Sequence, residues 1–262
     1  MARGGQRKAT AELPPPLPPE VRTVGQLVAE AVRLYGSHLW KGLALGVPVV
    51  LLNALAWTDA GRTGSALDAS LFVVLASAVL MPASFVAASA LVTGASLGGR
   101  TTLVAYVAGV LVFLPFPFLV TIFVLPGLAW LALFGLAVPA ALVEGLGLKR
   151  ALARGLELAR VDFVHVLGGM ATLALLVLLT QATLYFVLRE YAENTQRVAA
   201  ALASLVVSPL IFLGSALLYV DQEARLRSRG DRRKERHADV PDADHPDRKG
   251  NPDPARESRS TP

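Results

Sequence analysis

The sequence contains no cysteine and is poor in charged residues (17%) and aromatic residues (7%). Without cysteine the chain has no disulfide framework, no thiolate zinc site and no thiol nucleophile. Its charge content lies below the roughly 25% of an ordinary soluble domain, while 53% of its residues are hydrophobic. These proportions exclude most classes of soluble protein.

Motifs for known chemistry are also missing from the sequence. It has no phosphate-binding Walker loop, no dinucleotide fingerprint and no paired-histidine zinc motif. His38 and His165 have no third metal ligand at a suitable spacing, so they are interpreted as interfacial histidines with hydrated rings. We therefore predict no catalytic residue, no metal and no cofactor, and a protein that is not an enzyme.

Five long uncharged windows dominate the rest of the chain: 42–58, 69–99, 101–143, 163–188 and 198–220. A helix of about 20 apolar residues crosses the hydrocarbon core of a bilayer, so four of the windows each predict one spanning helix. The third window is 43 residues long, about twice the required length, and predicts two helices. The turn between them is predicted at Leu125-Pro126-Gly127, because proline removes a backbone donor and glycine tolerates a reversal.

The predicted fold is therefore all-α, a polytopic membrane protein with six transmembrane helices and additional amphipathic helices on the cytoplasmic surface. The predicted spans are 39–57, 69–95, 102–123, 127–144, 163–187 and 198–220. Several prolines fall inside these spans, so bent helices are expected.

Basic residues lie unevenly around the spans. Six crossings place 22 of the 25 Lys and Arg residues on the side of the two chain ends and 3 on the other side. Because basic residues concentrate on the cytoplasmic side of membrane proteins, both termini are expected in the cytoplasm, with the chain in the cell membrane. The net charge of +5 comes with no aromatic-rich basic patch, so anionic lipid rather than nucleic acid is the expected partner.

Two amphipathic segments, 22–38 and 148–161, each precede a predicted span and are expected to lie at the cytoplasmic surface. Thr23 and Gln26 fit a capping box at the start of the first segment. Basic side chains in and beside the two segments are the candidate contacts to lipid headgroups: Arg33, Lys41, Lys149, Arg150, Arg154 and Arg160.

Aligning Leu34 with Leu158 superposes these two segments and the spans that follow them. The alignment suggests a repeat of one surface helix and two spans. The middle copy of the surface helix is reduced to residues 95–100, so the threefold repeat is a hypothesis only.

The two ends of the chain differ in composition from the membrane domain, which is predicted over 22–221. Residues 1–21 are proline-rich and predict a solvated, extended spacer. Residues 222–262 are charged and almost free of large apolar side chains, so they predict a disordered cytoplasmic tail.

Polar side chains within the spans are the remaining candidates for a site. Asn53 and Gln181 are expected to bridge helices or to line a polar cavity. Glu144 lies near the cytoplasmic boundary, where a local ion pair with Lys149 or Arg150 is expected.

Several proline, glycine and apolar patterns resemble the membrane domain attached to some bacterial glycerophosphoryl diester phosphodiesterases, and its stand-alone relatives. They are Pro126-Gly127 to Phe134-Gly135, Val138-Pro139 to Glu144-Gly145, Lys149-Arg150-Ala151-Leu152, Leu156-Glu157-Leu158-Ala159-Arg160, Thr23-Val24-Gly25-Gln26-Leu27 to Leu34-Tyr35, and Leu218-Tyr219-Val220-Asp221. The resemblance covers residues 22–227 and implies a bacterial membrane protein. The phosphodiesterase chemistry of that family belongs to a separate soluble domain, so no catalytic residue is carried over.

The function expected from the sequence is that of a non-enzymatic module in the membrane that binds lipid or a partner membrane protein, including a second copy of itself. The alternative is a small transporter or lipid-handling protein with a polar cavity near Asn53 and Gln181.

Overall fold

The computed structural model describes residues 18–59 and 66–238 of the chain, and within these ranges the regular structure is entirely helical. A 3-10 turn at Pro19–Val21 precedes eleven α-helices. These are α1 Val24–Ser37, α2 Leu39–Asp59, α3 Ala66–Thr93, α4 Gly99–Phe113, α5 Phe116–Ile122, α6 Val124–Phe134, α7 Ala137–Val143, α8 Leu148–Val161, α9 Phe163–Leu188, α10 Glu193–Val207 and α11 Pro209–Ala238. The predicted proline-rich spacer lies largely outside the described residues.

In the described part of the chain six segments are long and apolar enough to cross a membrane, which confirms the predicted fold class. They are Leu39–Trp57, Leu71–Thr93, Gly99–Val120, Val124–Val143, Phe163–Leu188 and Glu193–Arg232. Large apolar side chains on their outer faces are exposed, for example Leu103 (62%), Leu178 (62%) and Phe186 (66%). Such a continuous apolar surface is typical of helices solvated by lipid.

Helix α1 begins with the predicted capping box, which is confirmed. The Thr23 hydroxyl accepts from the Gln26 backbone N–H, and the Gln26 side chain accepts in turn from the Thr23 backbone N–H. The apolar face of α1 buries Leu27 and Ala31, and Leu27 lies against Gly169 of α9. An amphipathic stripe therefore fixes α1 to the start of a span.

Helix α8 packs against α7 through a close backbone contact. A Cβ atom at Gly155 would lie 2.6 Å from the backbone nitrogen of Ala137, a distance that real Cβ atoms do not reach. Glycine at this position lets the two helix backbones approach each other. Helices α1 and α8 lie at the same end of the molecule as the starts of α2, α4 and α9. We call this end the basic end.

The reversal within 101–143 lies three residues before its predicted place. Phe123 is the extended residue that ends α5 and begins α6, and α5 and α6 pack against each other. Pro126 instead occupies the first turn of α6, where a backbone N–H would have no helical partner and its loss is tolerated. The prediction of two helices in this window was right, but the predicted turn residue was wrong.

Proline breaks some spans and not others. Pro48 and Pro82 lie inside the uninterrupted helices α2 and α3. The third span is interrupted before Pro115, and α11 starts directly at Pro209 after α10 has ended. The sixth span therefore consists of two helices, α10 and α11, rather than one.

The first part of α11, up to Leu226, packs inside the bundle. Phe212 makes an edge contact with Phe85 of α3 at 5.8 Å between ring centroids, and the Ser215 hydroxyl lies 3.3 Å from the Met170 sulfur of α9. Leu213, Leu218 and Tyr219 are almost completely buried. The first half of α11 therefore contributes several of the most deeply buried side chains of the core.

The predicted disordered tail starts too early in the sequence. Helix α11 continues to Ala238, and Gln222 is fully buried. Arg, Glu, Ala and Leu favour helix, and a helix that already exists extends at little cost. The chain after Leu226 forms a separate unit, which is helical as far as Ala238; residues 239–262 of the predicted tail lie outside the described part.

Candidate functional site

Both amides predicted to be important inside the spans contact one hydroxyl. Asn53 donates from Nδ2 to the Ser204 Oγ at 3.1 Å, and Gln181 donates from Nε2 to the same oxygen at 2.8 Å. Ser204 is buried and lies on α10, while Asn53 and Gln181 lie on α2 and α9. This Ser204 cluster joins three spans with uncharged groups.

A glycine contact holds α2 close to α10 next to the Ser204 cluster. A Cβ atom at Gly46 would lie 2.3 Å from the carbonyl oxygen of Leu205. Gly46 precedes Asn53 by two helical turns and therefore lies on the same side of α2. The lack of a side chain at Gly46 brings Asn53 within reach of Ser204.

A pocket of about 440 Å³ opens beside Gln181 toward the end of the bundle opposite the basic end. We call it the Gln181 pocket. Its lining combines apolar, amide and charged side chains: Trp57, Gln181, Leu184, Tyr185, Leu188, Glu193, Gln196, Arg197 and Ala200. Asn53 is not among these lining residues, and the Gln181 amide nitrogen is engaged by Ser204.

Glu144 forms an ion pair, but with a different partner from the expected ones. Arg154 donates from Nε to the Glu144 Oε1 at 3.0 Å, and Tyr219 donates its hydroxyl to the same oxygen at 3.2 Å. The expected pairing with Lys149 or Arg150 was wrong, because both lie in the first turn of α8 with exposed side chains. Arg154 lies one turn further along, on the side of α8 that faces the end of α7.

Arg154 also pairs with Glu157 at 2.9 Å. Burial lowers the pKa of the Arg154 guanidinium, but its hydrogen bonds to Glu157 and Glu144 raise it, and the net shift is upward. Arg154 therefore stays charged and is committed to these two carboxylates.

Charged side chains from three distant parts of the sequence meet at the basic end. Arg22 and Asp221 form a buried ion pair at 2.5 Å, with side chains 8% and 0% exposed. Arg225 pairs with Asp162 at 2.6 Å and donates to the Arg22 carbonyl oxygen at 2.7 Å. His165 lies beside them, with its Nε2 atom 3.8 Å from the Asp221 Oδ2. We call these five residues the Asp221 cluster.

The Asp221 cluster joins the segment before α1 to the spans that contain α9 and α11. Asp162 also caps α9, because its Oδ1 atom accepts from the His165 backbone N–H at 3.1 Å. His165 is therefore packed into the cluster and is not the hydrated interfacial residue that was expected. Within the described ranges no three His, Asp or Glu side chains are arranged to hold a metal ion.

Sequence reasoning did not find the Asp221 cluster. Arg22 and Asp221 are 199 positions apart, and no local pattern links them. The available signal was positional, since Asp221 directly follows the last uncharged window and Arg22 directly precedes the capping box. A charge at the edge of a span needs a partner there.

The six candidate lipid contacts divide into two groups. Arg33 pairs with Glu30 at 3.2 Å, and Arg154 belongs to the Glu144 pair. The other four have exposed side chains, and no carboxylate among the described residues lies within 4.0 Å of them: Lys41, Lys149, Arg150 and Arg160. We call these the four free cations.

A groove of about 770 Å³ runs between α2 and α3 from the basic end into the bundle. We call it the α2–α3 groove. Its lining is His38, Lys41, Ala44, Leu45, Pro48, Ala83, Ser84, Ala87, Ala90, Leu91, Gly94, Ala95 and Leu97. A second groove of about 590 Å³ lies on the other side of α3 and shares Ala83, Ala87 and Leu97 with the first.

The fold and these features define a multi-pass helical membrane protein with exposed basic side chains gathered at the basic end. No protein-family model, no curated protein and no solved structure matches the chain.

Proposed function

We propose that this chain is a non-enzymatic module of a bacterial cell membrane that binds anionic lipid at its basic end, with both chain ends in the cytoplasm. The distribution of the basic residues in the sequence supports the orientation. The resemblance to the membrane domain of glycerophosphoryl diester phosphodiesterases supports the same kind of role, because that domain is separate from the catalytic one. A partner membrane protein, including a second copy of this chain, is the other ligand class that the proposal includes.

The four free cations carry the proposal. Their side chains are exposed: Lys41 lies in the first turn of α2, just after α1, and Lys149, Arg150 and Arg160 lie in α8. We expect the phosphates of a membrane to lie at this level. A basic residue near an anionic membrane surface contributes about 1 kcal/mol of attraction. These four residues have no carboxylate partner in the described part of the chain, so anionic lipid is the preferred neighbour of this end.

Lipid retained during purification tests the proposal. The protein is extracted from native membranes in detergent, and its bound lipids are compared by mass spectrometry with those of the bulk membrane. We expect anionic phospholipids to be enriched over zwitterionic ones. A variant with Gln at all four positions, Lys41→Gln, Lys149→Gln, Arg150→Gln and Arg160→Gln, should lose most of this enrichment. Wild-type protein with the lipid composition of the bulk membrane would contradict the proposal.

The alternative function is transport of a small solute or lipid through a cavity near Asn53 and Gln181. The Gln181 pocket favours it, because a polar side chain within a span lines an open space there. Flux of solute, or movement of lipid between leaflets, in liposomes containing the purified protein tests this function. If the wild-type protein is active in that assay and Gln181→Leu abolishes the activity, the protein is a transporter and not a binding module.

A further inference from the structure

We infer that the α2–α3 groove is a binding site for a single anionic phospholipid, with the headgroup at Lys41 and an acyl chain between the two helices. This inference rests on the proposed function and assigns its lipid to one place. None of the contacts that stabilise the Ser204 or Asp221 clusters involves this groove.

The depth of the groove has an apolar lining suited to an acyl chain. Ala44, Leu45, Pro48 and Ala87 contribute side chains without polar atoms. The buried Ser84 hydroxyl, also in the lining, donates to the Leu45 carbonyl oxygen at 2.7 Å, so its donor is already used. A polar solute would therefore find few partners there, whereas a hydrocarbon chain needs none.

The mouth of the groove carries positive charge. Lys41 is one of the four free cations, and His38 lies beside it, with Nδ1 2.9 Å from the Ser37 hydroxyl. No carboxylate is among the described residues that line it. From Lys41 to Pro48 the helix descends about 10 Å, so a phosphate at Lys41 leaves its acyl chain at the level of the apolar lining.

The groove also opens on the outer surface of the bundle, where we expect lipid. Val47 and Val79, on the helix faces beside it, are 44% and 55% exposed. Ala83 itself is exposed on α3, between the α2–α3 groove and the second groove. A lipid can therefore enter sideways from the surrounding bilayer.

The position of the groove corresponds to a missing surface helix. Helix α1 precedes α2, and helix α8 precedes α9, each packed against the bundle at the basic end. Before α4 the chain has only residues 94–98, which form no helix. Among the described residues no surface helix covers either groove at this point, and Lys41 has no described carboxylate partner. An anionic lipid is therefore the complementary occupant.

Photocrosslinking in vesicles tests the inference. The full chain is reconstituted in phosphatidylcholine vesicles that contain phosphatidylglycerol with a photoreactive group in one acyl chain. We expect crosslinks in 41–48 and 83–97, suppressed by unlabelled phosphatidylglycerol and not by additional phosphatidylcholine. Crosslinks that map instead to α8 would overturn the inference and leave the proposed function standing. No saturable crosslinking anywhere on the chain would contradict both.

Charge variants separate the headgroup site from general attraction to the membrane. Lys41→Gln should weaken competition by phosphatidylglycerol at the groove about fivefold, the factor expected for one basic residue. Lys149→Gln removes the same charge from the same end outside the groove and should change this competition less than twofold. Equal effects of the two variants would overturn the assignment to Lys41.

A bulky variant tests the acyl-chain part of the site. Ala83→Phe fills the groove from an exposed position, and we expect it to abolish crosslinking at 83–97 without changing the elution volume of the protein. Leu75→Phe, on the exposed face of the same helix but outside the groove, is the control and should crosslink like the wild type. If Ala83→Cys instead forms a disulfide between two copies of the chain in vesicles, the occupant is a second copy and the inference is wrong.

Discussion

The two buried polar clusters of this bundle differ in charge and in position. The Ser204 cluster lies within the spans and consists of two amides and a hydroxyl. The Asp221 cluster lies at the basic end and consists of ion pairs with a histidine beside them. Holding a charge in hydrocarbon costs far more free energy than holding an amide. The depth within the spans therefore decides whether amides or charged groups join the helices.

The comparison also separates two ways of fastening helices. The neutral cluster links neighbouring spans and desolvates few polar groups. Each of its hydrogen bonds adds only a modest amount to the free energy of unfolding. The charged cluster stabilises the bundle only when all its members are present, because removal of one member leaves a buried charge without its partner. We therefore expect losses of different size from equivalent changes in the two clusters.

The largest effect is expected from Arg22→Ala, which leaves Asp221 buried without its partner. We expect the free energy of unfolding in detergent to fall by about 3–5 kcal/mol. Unfolding followed by circular dichroism in a denaturant titration measures it. The double variant Arg22→Met, Asp221→Leu removes both charges and should recover most of the loss. If the single and double variants are equally unstable, the buried charge left on Asp221 is not the cause of the loss of stability.

A smaller effect is expected from Gly46→Ala, which adds a Cβ atom at the closest approach of α2 and α10. Overpacking of this kind lowers the free energy of unfolding by about 1–3 kcal/mol, and here it should also separate Asn53 from Ser204. Gly25→Ala is the control, since a Cβ atom at Gly25 meets nothing within 4 Å. That change should leave stability unchanged or raise it by up to about 1 kcal/mol. A Gly46→Ala protein as stable as the wild type would show that the close approach is not needed.

Ser204→Ala should have a more modest effect, since it removes the shared acceptor of Asn53 and Gln181. Hydrogen bonds between membrane helices contribute about 1–2 kcal/mol at most, so we expect a loss of that order in the same titration. Ser89→Ala is the matched control, because the Ser89 hydroxyl donates only to the Phe85 carbonyl oxygen of its own helix. A loss no larger than that of Ser89→Ala would mean that the Ser204 cluster does not join the spans.

The smallest effect is expected from Arg33→Gln. Its pair with Glu30 lies on the surface of α1, with side chains 40% and 26% exposed. Exposed ion pairs contribute about 0.5 kcal/mol or less, so the unfolding midpoint should scarcely move. Arg154→Gln removes the pair with Glu144, whose side chains are 23% and 25% exposed, as well as the pair with Glu157, and should lower the midpoint more. A larger drop of the midpoint for Arg33→Gln than for Arg154→Gln would contradict the expectation that less exposed ion pairs stabilise the protein more.

Much of the fold could be predicted because the relevant signals are local. The spans follow from uncharged windows, and the start of α1 follows from Thr23 and Gln26, three residues apart. The turn at Phe123 was placed three residues late, because proline disfavours helix on its N-terminal side in general but is tolerated in a first turn. The extension of α11 to Ala238 was missed because charge was interpreted as disorder, although the residues involved favour helix.

The pairing of side chains could be predicted only in part. Asn53 and Gln181 were identified because amides are rare inside spans, but nothing in the sequence distinguished Ser204 from the other serines there. Glu144 was recognised, yet its partner depends on how α7 and α8 meet around Gly145, which adopts a φ of 63°. Long-range geometry of this kind has no signature in a single sequence.

The side of the membrane that the basic end faces is the most direct test of the account. Because the chain has no cysteine, Lys149→Cys and Arg189→Cys each introduce a single reactive thiol, one at the basic end and one beyond α9 at the opposite end. A membrane-impermeant maleimide is applied to sealed vesicles of either orientation. We predict that the thiol at 149 reacts only from the cytoplasmic side and the thiol at 189 only from the other side. Reaction of the thiol at 149 from the non-cytoplasmic side, or of both thiols from the same side, would contradict the account.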